Sequence, residues 1–173
     1  MKRRIERTPT SLKSLSTDDV TRLCRKAVQG TDCVYLGTFS AWGGPDVRTW
    51  DQKTTTSDTA FVANTDVVED EDTHWTLFYL PRDPAEPPSF FDTFGRDPEK
   101  MGRPLWRNYL RAIAYRRNGG RWERNKHRVQ EEHTEVCGQL CCMALWLKAR
   151  GQTLPKKYVP LENISGFLDF LNK

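Results

Sequence analysis

Between Cys137 and Lys148 the chain reads CGQLCCMALWLK, and the cysteines aside, Gln139 is the only polar side chain inside that run. A surface helix carries one apolar stripe, whereas a helix apolar on every side has to be surrounded by the rest of the fold. The segment from Cys137 to Ala149 is therefore predicted as a central, buried helix whose walls the remaining chain must supply. Its first turn would hold a thiol. A thiol at a helix N-terminus faces unpaired N–H groups and the positive end of the macrodipole, which stabilise thiolate, the form that attacks carbonyls. Gln130, seven positions ahead of Cys137, could offer its side-chain amide to a developing oxyanion. Buried cysteines are commonly inert packing, so the reading depends on partners.

Those partners lie in THWTLFYLPRDPAEPPSFFDTFG, residues 73–95, which holds two strand-like runs joined by a Pro-rich loop. His74, Thr76, Phe78 and Leu80 alternate with Trp75, Leu77 and Tyr79; both faces are largely apolar, so the strand is expected in the sheet interior. His74 at its start is a general-base candidate. Asp92, between Phe91 and Thr93, is an acid among aromatic residues and needs a partner, which His74 on the neighbouring strand can be. In that role Asp92 fixes the His74 tautomer and stabilises the imidazolium. The competing reading is that Asp92 caps the turn into Gly95.

The punctuation of the chain predicts one α+β domain. At 173 residues it is long enough to bury a core, and residues 1–13 form a basic arm ahead of a domain at 14–173. Ser16 to Asp19 resembles a capping box for a helix that Gly30 ends. Strands are expected at 33–39, 59–64, 74–80 and 89–94, with another in 121–130, and the polar stretch containing AWGGPD reads as a surface excursion. Further helices are predicted from Pro104 to Arg117 and around Ile164, Phe167, Leu168 and Leu171. The sheet is expected to be mixed and mostly antiparallel.

At these residues the chain resembles the adenovirus-type cysteine proteases, or adenains, of the clan that contains the SUMO-specific proteases. The likeness runs through CVYLGTFSAWGGPDV (33–47), TAFVANTD (59–66), THW (73–75), FFDTFG (90–95), the Gln130 spacing and CGQLCCMALW (137–146). It implies a cysteine endopeptidase acting on viral precursor polypeptides in the virion and host nucleus. His74 would be the base, Asp92 the acid where the family carries Glu, Cys137 the nucleophile and Gln130 an oxyanion donor. Trp75 and Gly138 are the candidates for lining the substrate site. The resemblance implies no metal or organic cofactor. The family uses viral DNA as a cofactor and an activating peptide tethered by a disulfide upstream of the oxyanion Gln. Residues 95–136 contain no cysteine, so any peptide activator is expected to be non-covalent.

Charge is unevenly placed: residues 96–128 carry eleven Lys or Arg against three acids, in a chain of net charge +4. Arg103, Arg107 and Arg111 recur every fourth position and read either as a phosphate-binding stripe or as a solvated helix face. Glu69 to Asp72, just before His74, form an acidic run that reads chiefly as a hydrated loop. Five cysteines, odd in number and without disulfide spacing, are expected as free thiols in a chain whose MKRRIERTPT start lacks the apolar core of a signal peptide. No run of about twenty apolar residues suits a membrane, and a monomer is expected. His133, Cys137 and Cys141 fall at i, i+4 and i+8 but lack a fourth zinc ligand. The other functional readings are a ubiquitin- or SUMO-specific protease and a basic, non-enzymatic packaging protein that binds nucleic acid.

Overall fold

A computed structural model describes residues 12–40, 44–65, 74–100, 110–111, 113–116 and 119–173. In chain order these give α1 (Thr17–Ala27), β1 (Cys33–Phe39), α2 (Val47–Lys53), β2 (Asp58–Asn64), β3 (Trp75–Leu80), β4 (Ser89–Asp92), β5 (Glu123–Arg124), α3 (Cys137–Ala149) and α4 (Leu161–Leu171). The five strands form one mixed sheet in the order β1-β2-β3-β4-β5. Its central pairs are antiparallel, and the pair at each edge, β1 with β2 and β4 with β5, is parallel.

All six residues of β3 are buried, as its two-sided apolar alternation predicts for a central strand. One face packs Trp75, Leu77, Tyr79 and Phe91 against α1, α3 and α4. The other packs Phe61, Phe78, Leu80 and Phe90 against Trp50, Leu110 and Ile113. The sheet is thus the middle of three layers. Burial of α3 is complete from Cys137 to Cys142, and continues at Ala144 and Leu145. Ser16 and Asp19 make both bonds of the predicted capping box. Ile164 and Leu168 are the buried positions of α4, with Phe167 and Leu171 packed beside them.

Three expectations need amendment. The excursion after β1 contains α2, capped by Asp46, and its Trp50 is fully buried with Nε1 donating to Thr59 Oγ1 at 2.6 Å. One aromatic in a polar stretch has no periodicity to reveal it. The strand expected in 121–130 is only two residues long, because the side chain of Asn125 takes over the ladder. Asp92 N donates to Asn125 Oδ1 at 2.9 Å, and Asn125 Nδ2 donates to Asp92 O at 2.6 Å. β4 likewise stops at Asp92, where a turn closes with Gly95 N donating to Asp92 O at 2.8 Å.

Most of the predicted 104–117 helix lies outside the described residues, as do Arg103, Arg107, residues 1–11 and the acidic run 69–72; residues 110–111 and 113–116 are helical. Arg111 is paired with Glu99 at 3.1 Å. No helix among the described residues is long and apolar enough to cross a membrane.

Candidate active site

The β3–β4 register places the first two residues of interest. Thr76 lies opposite Asp92 at the end of the β3–β4 ladder, and His74 stands just before β3 while Phe94 lies in the turn just after β4. The main chain there is anchored by Thr65 N donating to His74 O at 2.9 Å. His74 Nε2 meets Asp92 Oδ1 at 2.5 Å, and the imidazole stacks on the Phe94 ring at 4.9 Å between centroids and 15° between planes. One contact fixes the ring's direction and the other its plane.

Asp92 is fully buried, and its carboxylate collects donors from several sides. Arg96 Nε at 2.8 Å and Arg96 N at 3.1 Å reach Oδ2, and Phe94 N at 3.3 Å reaches Oδ1. Asp92 therefore caps the turn into Gly95 and holds His74 at the same time; the two sequence readings are compatible. Burial alone would raise its carboxyl, but the bonds and charges of His74 and Arg96 hold it below 3.8. Burial would lower the imidazole, yet hydrogen bonds with Asp92 and Cys137, with the charges behind them, raise His74 from 6.5 to about 9.

The bond with Cys137 completes the row. Asp92 occupies Nε2, which leaves Nδ1 of His74 for the thiol. Cys137 is the first residue of α3 and is 6% exposed. Val136 before it makes no side-chain cap, so the N–H groups of that turn are not taken by a capping side chain. Gln130 is 2% exposed and its amide is gripped at both ends. Thr93 Oγ1 donates to Oε1 at 2.6 Å, and Nε2 donates to Thr134 O at 2.6 Å. An amide nitrogen carries two hydrogens, so a second N–H remains for another acceptor. His133, in the loop between Gln130 and Cys137, has φ 60°, a left-handed conformation uncommon outside glycine. It precedes α3 and does not share a helix face with Cys137 and Cys141.

Trp75 and Gly138 face inward. Trp75 is 3% exposed in the core, with Nε1 donating to Leu15 O at 3.2 Å. A Cβ on Gly138 would sit 3.2 Å from side-chain atoms of Leu15, Trp75 and Val20. Packing accounts for both positions, and a substrate-lining role for either stays an expectation. Cys141 is fully buried, its thiol pushed well up by burial and donating to Trp75 O at 3.3 Å. A cavity of about 380 Å³, lined by Tyr79, Phe91, Asn125, Lys126, Lys148 and Leu154 among others, includes none of His74, Asp92, Gln130 and Cys137.

Sequence reasoning missed Arg96, Thr93, Phe94 and Asn125. Arg96 had a faint signal in its spacing of four from an acid predicted to be buried. Asn125, 33 positions from Asp92, had none.

No family model matches the chain, and no curated protein is similar to it. Solved structures are. The SUMO protease Ulp1, with its catalytic cysteine oxidised to a sulfinic acid, is 14% identical, with 95% of this chain and 77% of that one covered at a TM-score of 0.62. The C-terminal Ulp1 protease domain in complex with Smt3, the yeast ortholog of SUMO, is 14% identical, covering 95% and 76% at 0.62. The ASFV pS273R protease is 14% identical, covering 90% and 66% at 0.65. The chain has the fold of these cysteine proteases. At this identity the likeness speaks for the fold, and the chemistry has to come from the side chains.

Proposed function

We propose that this chain is a cysteine endopeptidase that cleaves viral precursor polypeptides, with Cys137 as nucleophile, His74 as acid and base, Asp92 as its orienting partner and Gln130 as an oxyanion donor. The observation that carries the reading is a single imidazole bonded to a buried carboxylate, with the thiol at the entrance of a buried helix among the groups that raise it.

In the attacking state the thiol proton rests on His74 and Cys137 is thiolate. Sγ attacks the scissile carbonyl carbon, and the oxygen gathers the electron pair. The free N–H of Gln130 and the Cys137 backbone N–H are the donors for that charge. Collapse of the tetrahedral species breaks the C–N bond as His74 delivers its proton to the leaving amine. His74 then takes a proton from water, whose oxygen attacks the thioester; the C–S bond breaks and thiolate returns. Asp92 keeps Nε2 protonated throughout, so Nδ1 always faces the reacting atoms.

The viral precursor substrate, a glycine on the acyl side of the cut, and the virion and host nucleus as site of action rest on the resemblance of CVYLGTF and CGQLCCM to the adenain type. The fold shared with pS273R is in keeping with it. A second reading, a SUMO- or ubiquitin-directed protease, is favoured by the fold shared with the Ulp1 domain solved in complex with Smt3. A packaging protein would leave the His74–Asp92–Cys137 row without purpose. The test is labelling by an electrophilic peptide probe ending in glycine, followed by cleavage of precursor-type peptides and of Gly-Gly-linked SUMO and ubiquitin. Labelling that Cys137→Ala abolishes, with turnover of the precursor peptides, supports the proposal. Turnover of the SUMO or ubiquitin substrates alone selects the second reading, and no labelling of Cys137 overturns both.

A further inference from the structure

The segment just before α1 touches both halves of the candidate site from behind. Trp75 follows His74 at the head of β3, and its Nε1 donates to Leu15 O at 3.2 Å. Gln139 follows Cys137 by two positions in the first turn of α3, and its Nε2 donates to Lys13 O at 2.7 Å. Neither bond belongs to a sheet ladder or to a helix's own ladder. Both donors are buried, Trp75 at 3% exposed and Gln139 fully, while the accepting main chain belongs to exposed Lys13 and half-buried Leu15. Side chains fill the same gap: Leu15, Trp75 and Val20 converge on the bare Cα of Gly138, leaving no room for a Cβ without displacement.

We infer that the main chain of Lys13 to Leu15 is a staple that sets the separation of His74 and Cys137, and that Trp75 and Gln139 are positioning residues for the reaction. The inference rests on the active-site reading above. Base and nucleophile come from different elements far apart in sequence, so chain connectivity does not fix their distance. Cys141 Sγ reaching Trp75 O at 3.3 Å is one tie between β3 and α3, and a thiol is a weak donor. An indole N–H and an amide N–H, one beside each reacting residue and both ending on the same short stretch of main chain, are a stiffer brace. Hydrogen-bond geometry is steep, so a brace of this kind controls proton sharing between imidazole and thiol even though it touches neither. It also explains why Trp75 and Gly138, adjacent in sequence to the reacting residues, face inward.

The test uses the full chain carrying Trp75→Phe, Gln139→Leu or both. The readouts are the alkylation rate of Cys137 by iodoacetamide as a function of pH, followed by mass at the Cys137 peptide, and the melting temperature. Trp75→Phe removes the N–H and keeps most of the ring. The folded double variant is expected to alkylate on the order of 10- to 100-fold more slowly at neutral pH, the scale for displacing reacting groups by about 1 Å. Its pH profile moves toward that of an ordinary thiol, with Trp75→Phe alone in between. A double variant that melts lower but keeps the wild-type alkylation rate and profile overturns the staple and returns both residues to core packing. If the double variant does not fold, Trp75→Phe decides by the same two readouts. Wild-type protein no more reactive than His74→Ala would instead bring down the active-site reading, an outcome distinct from failure of the staple.

Discussion

Replacing Asp92 by Asn removes one charge and almost no volume, and the surroundings of the carboxylate make the consequence calculable. Oδ1 accepts from His74 and Phe94 while Oδ2 accepts twice from Arg96, so donors approach both oxygens. An amide offers one oxygen and one NH2. Whichever way it turns, a donor meets a donor in a fully buried position, or His74 must switch the proton to Nδ1, away from the tautomer the thiol needs. In the wild type His74 is raised from 6.5 to about 9, and at about 1.4 kcal/mol per pH unit that gap favours the imidazolium by roughly 3 to 4 kcal/mol. Asp92 and Cys137 share the effect, and Asn keeps neither the charge nor the acceptor at Nε2. Peptide turnover is expected to fall on the order of 10³- to 10⁴-fold, the scale for a triad acid turned into an amide. Stability carries a second signature. His74, raised on folding, contributes fully below 6.5, and its contribution is lost as pH climbs through about 9. Asp92, lowered on folding, contributes above 3.8 and loses this as pH falls. Thermal melts should therefore show the wild-type advantage over Asp92→Asn at its largest between roughly pH 4 and 6.5, shrinking toward pH 9 and again in acid. A constant difference across that range, or near wild-type turnover in Asp92→Asn, would refute the assignment of Asp92 as the partner of His74.

Cys137→Ala is expected to abolish peptide hydrolysis with little change in melting temperature, whereas Cys141→Ala and Cys142→Ala, both fully buried, should keep activity at a cost in stability; turnover and melts on the three variants check this. Gln130→Ala should lower turnover by about 100- to 1,000-fold, and Thr93→Val, which releases the amide by removing a 2.6 Å bond, should fall between it and wild type in the same assay. Gly95→Ala places a Cβ 2.9 Å from backbone atoms of Lys126 and His127 at φ +67°, so its melting temperature should drop by about 2–4 °C for each kcal/mol of strain. Changing Arg103, Arg107 and Arg111 together to Gln should weaken salt-dependent DNA binding and leave DNA-free turnover of a short peptide unchanged; equal DNA affinity would count against the phosphate-binding reading of these three residues.

What could be read from the sequence was whatever repeats with a period. The all-apolar run gave a buried helix from Cys137 to Ala149, and the two-sided alternation after His74 gave an interior strand. Pairing an acid among aromatics with a histidine on the next strand likewise needed only the cost of burying a charge. What stayed hidden had no period. Trp50 is one side chain in a polar stretch, and the truncation of β5 hangs on the amide of Asn125 reaching back to Asp92. The inward direction of Trp75 and Gly138 is set by Leu15 and Val20, which neither local pattern includes. Adjacency in sequence does not give two side chains one direction: neighbours in a strand point to opposite faces, and those in a helix turn by about 100°.

The same parity constrains how such a site is assembled. His74 and Asp92 meet at the end of the antiparallel ladder in which Thr76 pairs with Asp92: His74 stands just before β3 and its imidazole reaches the carboxylate of the last residue of β4. A slip of one residue in that register would send Asp92 to the opposite face and leave both the imidazole and the Arg96 side chain without their acceptor. Each strand of the pair is also tied to its outer neighbour. Tyr79 Oη and Arg82 N both bond the carboxylate of Asp58, at 2.6 and 2.7 Å, pinning the end of β3 to β2. On the far strand, Asn125 clasps both backbone groups of Asp92, and Val129 N and Gln130 N both reach Thr93 O at 2.9 and 3.2 Å. That last contact joins the oxyanion candidate to the strand of the acid. Asp92 and Gln130 are therefore placed by one stretch of backbone and His74 by its register against it, which leaves the approach of α3 as the remaining degree of freedom in the site. The bond from Gln139 to Lys13 acts on that freedom, and it is where a small change in the segment before α1 would reach the chemistry.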